Sequence, residues 1–204
     1  MAVFHAGAQF ISRSKGKSAC AHAAYISGTT IVDERTGYVA DYESKSDVVY
    51  GAILAPVGSP DWAKEASALW NKVEAFEDAL LEQRFDGRTQ RSLDRQEKLK
   101  GSVQTAFQLT VALQNNLSVD QNIELLEDYI GRVFVSKGLV CQYAIHQDPG
   151  NIHAHLSVTL RALEGDKFSD LKERDLFSRG NFRQGIRGVL EKTINDHLAK
   201  NGLN

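Results

Sequence analysis

Three of the chain's six histidines fall within one short stretch, His146-Gln-Asp148-Pro-Gly-Asn151-Ile-His153-Ala-His155. A neutral imidazole is the commonest side-chain metal ligand near neutral pH. If residues 152–163 form a strand, His153 and His155 point to the same face, because side chains alternate. His146 closes the apolar run of residues 139–145. The intervening Asp148-Pro149-Gly150-Asn151 is strong turn chemistry. A hairpin would therefore fold His146 back over the other two. Three imidazoles leave positions open for water or substrate, the pattern of a catalytic metal centre. The competing reading is a polar hairpin with unrelated surface histidines, and the third histidine at the opposite lip of the turn favours the metal site.

A metal with open positions acts as a Lewis acid on a phosphoryl oxygen but still needs a nucleophile. Water would make the protein a hydrolase. The side-chain alternative is Tyr25, at the end of an alanine-rich segment and just beyond a basic loop with Arg13, Lys15 and Lys17. Phenols ionise near pH ~10, so attack on phosphate needs positive charge or a base nearby. A metal and a lysine would supply that charge. By spacing alone, the favoured reading of Tyr25 is an amphipathic packing residue rather than a nucleophile.

The elements that would position these residues follow from pattern. Residues 2–11 alternate loosely as a first strand, and residues 12–17 are a flexible basic loop. Residues 18–27 are rich in alanine, which favours helix, with Ser18 as N-cap and Gly28 as terminator. Residues 29–42 are a turn-rich excursion. Residues 48–54 read as a strand closed by Pro56. A helix starts at Ser59-Pro60-Asp61 and runs to about Arg84, with Trp62, Ala66, Leu69, Trp70, Val73, Phe76 and Leu80 at helical spacing. Residues 85–100, with Gly87 near their start, are either a surface helix or a mobile loop. A strand at 103–113, a helix opening at Ser118, the histidine hairpin and a last helix at 181–201 complete the order, with Phe168 in a short extension. This order implies an α+β fold, with helices packed on a mainly antiparallel sheet.

At 204 residues and 42% hydrophobic content, the chain is long enough for one generous domain with a real core. No linker divides it, so residues 1–204 are expected to be a single domain. The net charge of -2 gives no global pull towards nucleic acid or anionic membrane, so local charge must be considered instead. Cys20 and Cys141 stand in no CxxC, which suggests a reducing compartment. No apolar run approaches a membrane span, and the N-terminal residues lack the pattern of a secretory signal. A cytoplasmic protein is expected.

At this point the sequence resembles a family. Ile11-Ser12-Arg13-Ser14-Lys-Gly16-Lys-Ser18-Ala-Cys-Ala-His-Ala23-Ala24-Tyr25-Ile-Ser27-Gly28 looks like the first motif of the MobA/MobL-type conjugative relaxases. Asp41-Tyr42 and Leu69-Trp70-Asn71-Lys-Val73-Glu74 also match that pattern. The segment from Ala144 to His155 is similar to the family's histidine motif, the HUH signature. The resemblance runs from Val3 to about Arg161.

It implies a relaxase that binds single-stranded DNA at a plasmid origin of transfer. Tyr25 would attack the scissile phosphate, leaving a 5′-phosphotyrosyl link and a free 3′ hydroxyl, and the step would later reverse to rejoin the strand. His146, His153 and His155 carry over as ligands of a divalent metal. Magnesium or manganese is the family expectation, whereas imidazole chemistry suits zinc, nickel or cobalt better. Accessory relaxosome proteins and a type IV coupling protein are the implied partners, and many members continue into a helicase or primase region.

The chain departs from the family in the stretch Gln108 to Leu117, where an acid and a proline are missing. A carboxylate normally orients a ligand histidine through its second nitrogen. Asp148 either takes that role or only caps the turn. Arg13, Lys15 and Lys17 are expected to meet backbone phosphates, and Tyr42 to stack on a base. His5 and His22 take a structural reading by default, Trp62 and Trp70 a core one, and Arg183 and Arg187 a solvated one. The rival functions are a water-using metal nuclease and a non-catalytic DNA-binding module with a structural zinc. Replication initiators and transposases of the same superfamily generally place the tyrosine after the histidine motif, and here no tyrosine follows His155.

Overall fold

The histidine hairpin lies at the centre of a sheet whose strands come from every part of the chain. The structure is a computed structural model and describes residues 5–85 and 89–203. In chain order, its strands are β1 (Ala6–Ser12), β2 (Thr30–Asp33), β3 (Tyr38–Asp41), β4 (Val48–Leu54), β5 (Gln104–Ala112), β6 (Cys141–Asp148), β7 (Asn151–Thr159), β8 (Leu163–Glu164) and β9 (Lys167–Phe168). The helices are α1 (Ala19–Ser27), α2 (Ala66–Arg84), α3 (Gln90–Lys100), α4 (Val119–Val133), the single turn α5 (Arg179–Asn181) and α6 (Gly188–Lys200).

Five strands form one sheet in the order β1-β5-β7-β6-β4, each pair antiparallel. The expected α+β architecture with a mainly antiparallel central sheet is therefore present. Alternation sets the two faces. Tyr143 and Ile145 on β6, and Ala154, Leu156 and Val158 on β7, pack with α4 and α6 in one core. A second core joins α1 and α2 to Ile11, Ala106 and Val140. The residues between the apolar positions of β6 and β7, including all three histidines, face the α1 side.

Local sequence accounts for most boundaries. Ser18 caps α1 by accepting from the Ala21 N–H, and Gly28 ends it in the left-handed region at φ 63°. Ala19, Cys20, Ala23 and Ala24 are buried beneath this helix. Such small residues let its backbone sit close to the sheet. Pro149 and Gly150 turn the hairpin, with Gly150 at a φ of 75° that a side chain would strain.

Several expectations need correction in detail. The turn-rich excursion is a hairpin, β2 paired with β3. The helix expected from Ser59 begins as a separate tight turn, Asp61–Lys64, and α2 starts only after Glu65, whose carboxylate caps it. The charged segment is helical over α3. The last helix begins with α5 and then a wide-turned stretch, Phe182–Arg187, before α6. Residues 2–4 of the expected first strand, and Gly87, lie outside the described residues.

No helix of the described chain is long and apolar enough to cross a membrane.

Candidate functional site

The β6–β7 register places His146 directly opposite His153, with His155 two residues further along the same face. One ring nitrogen from each of the three lies within 4.8 Å of the others, and they are the one such group among the described residues. The expected triad is thus assembled. Burial, followed by repulsion from His146 and His153, pushes His155 down to about 3. Burial also lowers His146, against an opposing contribution from the Ile26 carbonyl. Both rings therefore remain neutral near pH 7, the form that binds metal.

Each inner ligand has a partner that fixes its ring. Thr110 Oγ1 lies 3.2 Å from His155 Nδ1. His146 Nδ1 lies 3.0 Å from an Asp47 carboxylate oxygen, and its Nε2 lies 2.7 Å from the Ile26 carbonyl oxygen. A neutral imidazole carries one proton and can donate to only one of these oxygens. Both ring nitrogens are thus engaged, and a metal held through either one would take the place of the contact that nitrogen makes. Three neutral imidazoles on one face, two of them held by second-nitrogen partners, fit a divalent transition metal.

Tyr25 reaches this face from α1. Its ring centroid is 6.1 Å from that of His155 and 6.5 Å from that of His146. Tyr42 packs edge-on against it at 5.4 Å. Lys45 Nζ stands 4.3 Å from the Tyr25 ring centroid and 3.2 Å from Asp47 Oδ2. Burial works against an ionised Asp47, but the hydrogen bond from Lys45 and one from the backbone outweigh it and hold the carboxyl below its usual range. Tyr25 itself is 39% exposed, so a substrate can approach it.

Three site expectations need comment. Asp148 pairs with Asn151 at the exposed end of the hairpin, and Asp47 makes the carboxylate contact to His146 instead. Arg13 is no free phosphate ligand. Its side chain is 4% exposed, bound to Glu74 and Asp78 and hydrogen-bonded to the carbonyls of Glu74 and Lys100. The cause is α2, which turns Glu74 and Asp78 towards the basic loop. Lys15 is exposed, whereas Lys17 reaches the Gln9 side chain at 3.0 Å. Trp70 is core, as expected, and Trp62 packs on Phe168. Arg183 and Arg187 line a groove with Phe10 and Phe107 on the other face of the sheet, away from the triad.

Lys45 and Asp47 are the residues that sequence reasoning missed. Their one signal is position: they immediately precede β4, whose Val48 pairs with His146.

Comparison with known proteins identifies the family. The chain is 31% identical over 182 residues to the conjugal transfer protein TraA of Rhizobium radiobacter, covering 84% of this chain and 15% of that one. It is 32% identical over 206 residues to the probable mobilization protein MobA of Bifidobacterium longum, covering 99% of this chain and 33% of that one. A solved structure reported as "Molecular Basis of Vancomycin Resistance Transfer in Staphylococcus aureus" superposes with a TM-score of 0.82 at 28% identity, over 100% of this chain and 96% of the other. The MobA/MobL family profile matches residues 17–94 and 91–204.

The fold is that of the conjugative relaxase family to which these relatives belong. The chain belongs to the MobA/MobL family. It spans about a seventh of the TraA relative's length and about a third of the MobA relative's.

Proposed function

We propose that this chain nicks and rejoins one DNA strand at a plasmid origin of transfer, with Tyr25 as the nucleophile. The observation that carries the reading is the Tyr25 ring lying about 6 Å from two histidines of a metal-competent triad, beneath the Lys45 ammonium. The phenolic oxygen of Tyr25 bonds to the scissile phosphorus while the bond from phosphorus to the 3′ oxygen breaks. The phenol's proton leaves to solvent, and the departing 3′ oxygen takes one up. The product is a 5′-phosphotyrosyl link beside a free 3′ hydroxyl. One phosphate ester replaces another, so the reverse step rejoins the strand without a further energy source.

Lys45 favours the step by offsetting charge as the phenolate develops. His146, His153 and His155 would hold a divalent ion, which would neutralise the phosphate and align it for in-line attack. The family expectation is magnesium or manganese, whereas the all-imidazole ligand set suits cobalt, nickel or zinc better. Asp47 and Thr110 orient two of the ligand rings. Single-stranded DNA is the substrate. Accessory relaxosome proteins and a coupling protein are the partners proposed for a cytoplasmic reaction of this kind. Residues 1–204 are read as one nicking and joining domain.

The test uses single-stranded oligonucleotides tiled across the origin of the plasmid that carries the chain, with added manganese or magnesium. The expected product is a protein–DNA adduct on Tyr25, absent from Tyr25→Phe. Cleavage without an adduct would establish water as nucleophile and a hydrolytic nuclease. Neither cleavage nor adduct on a verified origin would leave a DNA-binding module with a structural metal.

A further inference from the structure

An open cleft of about 600 Å³ begins at Tyr25 and runs along α1 away from the histidines. Its walls are the N-terminal half of α1, the loop at Gly16 and Lys17, and the β2–β3 hairpin. Tyr25 lines both this cleft and the metal face, so a chain lying across the nucleophile must continue into it.

The chemistry of the lining is uneven. Tyr38 lines the cleft and is 57% exposed, and Tyr42 stands nearer to Tyr25. Lys17 is held only by the neutral amide of Gln9. Arg35 makes a long contact of 3.6 Å with Glu74, a carboxylate that already binds Arg13 at 2.7 Å. The one acid in the lining, Asp33, is turned inward. One of its oxygens accepts from Ser18, and the other from the Arg35 and Thr36 backbone. The cleft therefore presents cations and aromatic faces without a free carboxylate. His22 also lines it, and its Nε2 is buried with no hydrogen-bond partner. Burial pushes this ring down to about 4, so it adds no positive charge to the cleft near pH 7.

Exposed aromatic faces beside cations are the chemistry that binds single-stranded nucleic acid without sequence preference: bases stack while the cations track the backbone. We infer that this cleft holds the nucleotide next to the scissile phosphate, with Tyr38 stacking on its base and Lys17 and Arg35 meeting its backbone. The β2–β3 hairpin then becomes one wall of the DNA path beside the nick. This rests on the reading of Tyr25 as a DNA nucleophile.

The experiment measures binding apart from cleavage. In the Tyr25→Phe background, fluorescence anisotropy follows labelled single strands of deoxythymidine about twelve nucleotides long, within the range that one such surface covers. Adding Tyr38→Ala is expected to weaken binding about ten-fold, and Tyr38→Phe to keep it within about two-fold. Lys17→Gln is expected to reduce the dependence of log affinity on log salt by about 0.7. Unchanged binding in both Tyr38→Ala and Lys17→Gln would overturn the inference. With Tyr25 restored and adducts still forming, that result would leave the relaxase reading intact. If the background chain does not bind the deoxythymidine strands, this inference fails, and the relaxase reading fails with it only if single strands spanning the verified origin are not bound either.

Discussion

Asp47 Oδ2 lies 3.0 Å from His146 Nδ1 and 3.2 Å from Lys45 Nζ. One carboxylate oxygen thus joins a histidine of the triad to the cation that sits over Tyr25. Removing it should affect both halves of the site. We expect Asp47→Ala to weaken metal binding about 10- to 100-fold, the usual cost of losing an orienting partner behind a ligand histidine. Isothermal titration with manganese measures this. Asp148→Ala should leave the affinity unchanged. Equal losses in the two variants would show that the hairpin acid matters as much as Asp47.

Lys45 offers a second test. Its ammonium is 4.3 Å from the Tyr25 ring centroid. Lys45→Gln keeps most of the side chain's bulk and removes the charge. The rate of adduct formation at saturating DNA should fall roughly ten-fold, the effect of a cation–aromatic contact of this order. Lys45→Arg should recover part of it. A rate unchanged in Lys45→Gln would mean that the triad alone supplies the positive charge.

Arg13 makes the opposite prediction, because its role is structural. Arg13→Ala would remove the shortest ion pair of Glu74, which is 1% exposed and would keep the Ala19 N–H and a long contact to Arg35. Breaking a buried pair in this way costs about 3–5 kcal/mol. Urea denaturation should show a loss of that size. If Arg13→Ala instead kept its stability and lost DNA affinity, the arginine would be a phosphate ligand after all.

Acid should destabilise the metal-free protein for a specific reason. In the unfolded chain the rings of His155 and His22 ionise near 6.5, but in the fold burial, with repulsion from other histidines for His155, lowers them to about 3 and about 4. Above about pH 6.5 neither state takes up these protons and stability is full. As pH falls below that, only the unfolded chain binds them, so stability declines until about pH 4 for His22 and about pH 3 for His155. The thermal midpoint should therefore be lower at about pH 5 than at about pH 7.5, and His22→Phe should narrow the gap. Metal binding should weaken over the same descent, because protons compete for the ligands. An apo protein equally stable at both values would contradict the burial of these rings.

Short-range pattern made much of this site readable. The Asp148-Pro149-Gly150-Asn151 turn and the alternation after it determine which face the histidines share, and the observed register agrees. Ser18 and Gly28 bound the Tyr25 helix as their cap chemistry requires. Helical spacing of Val119, Ile123, Leu126, Tyr129, Ile130 and Val133 marks the inner face of α4; the last four are buried and the first two half-buried.

What sequence left unread depends on long-range partners. Arg13 reads as a solvent cation until Glu74, 61 residues later, is known to lie beside it. Asn71, Glu74 and Glu77 are buried polar positions on α2 that periodicity alone assigns to water. Asp148 looked like the orienting acid because it is close in sequence, yet a strand end points it outward while β4 brings Asp47 in from the other side. The nearest residue along the chain was not the nearest in space.

The two halves of the site are made at very different times during synthesis. His146 meets the Ile26 carbonyl across 120 residues. Translation proceeds from the N-terminus, so the tyrosine's helix leaves the ribosome well before either central strand exists. Even β1, at its side, must wait for β5 to pair with. Until β6 and β7 emerge and close their hairpin, the nascent chain carries the phenol without the three imidazoles of the triad. The order of residues along the message therefore works as a delay, and the triad reaches the tyrosine only once all five strands of the sheet have been made.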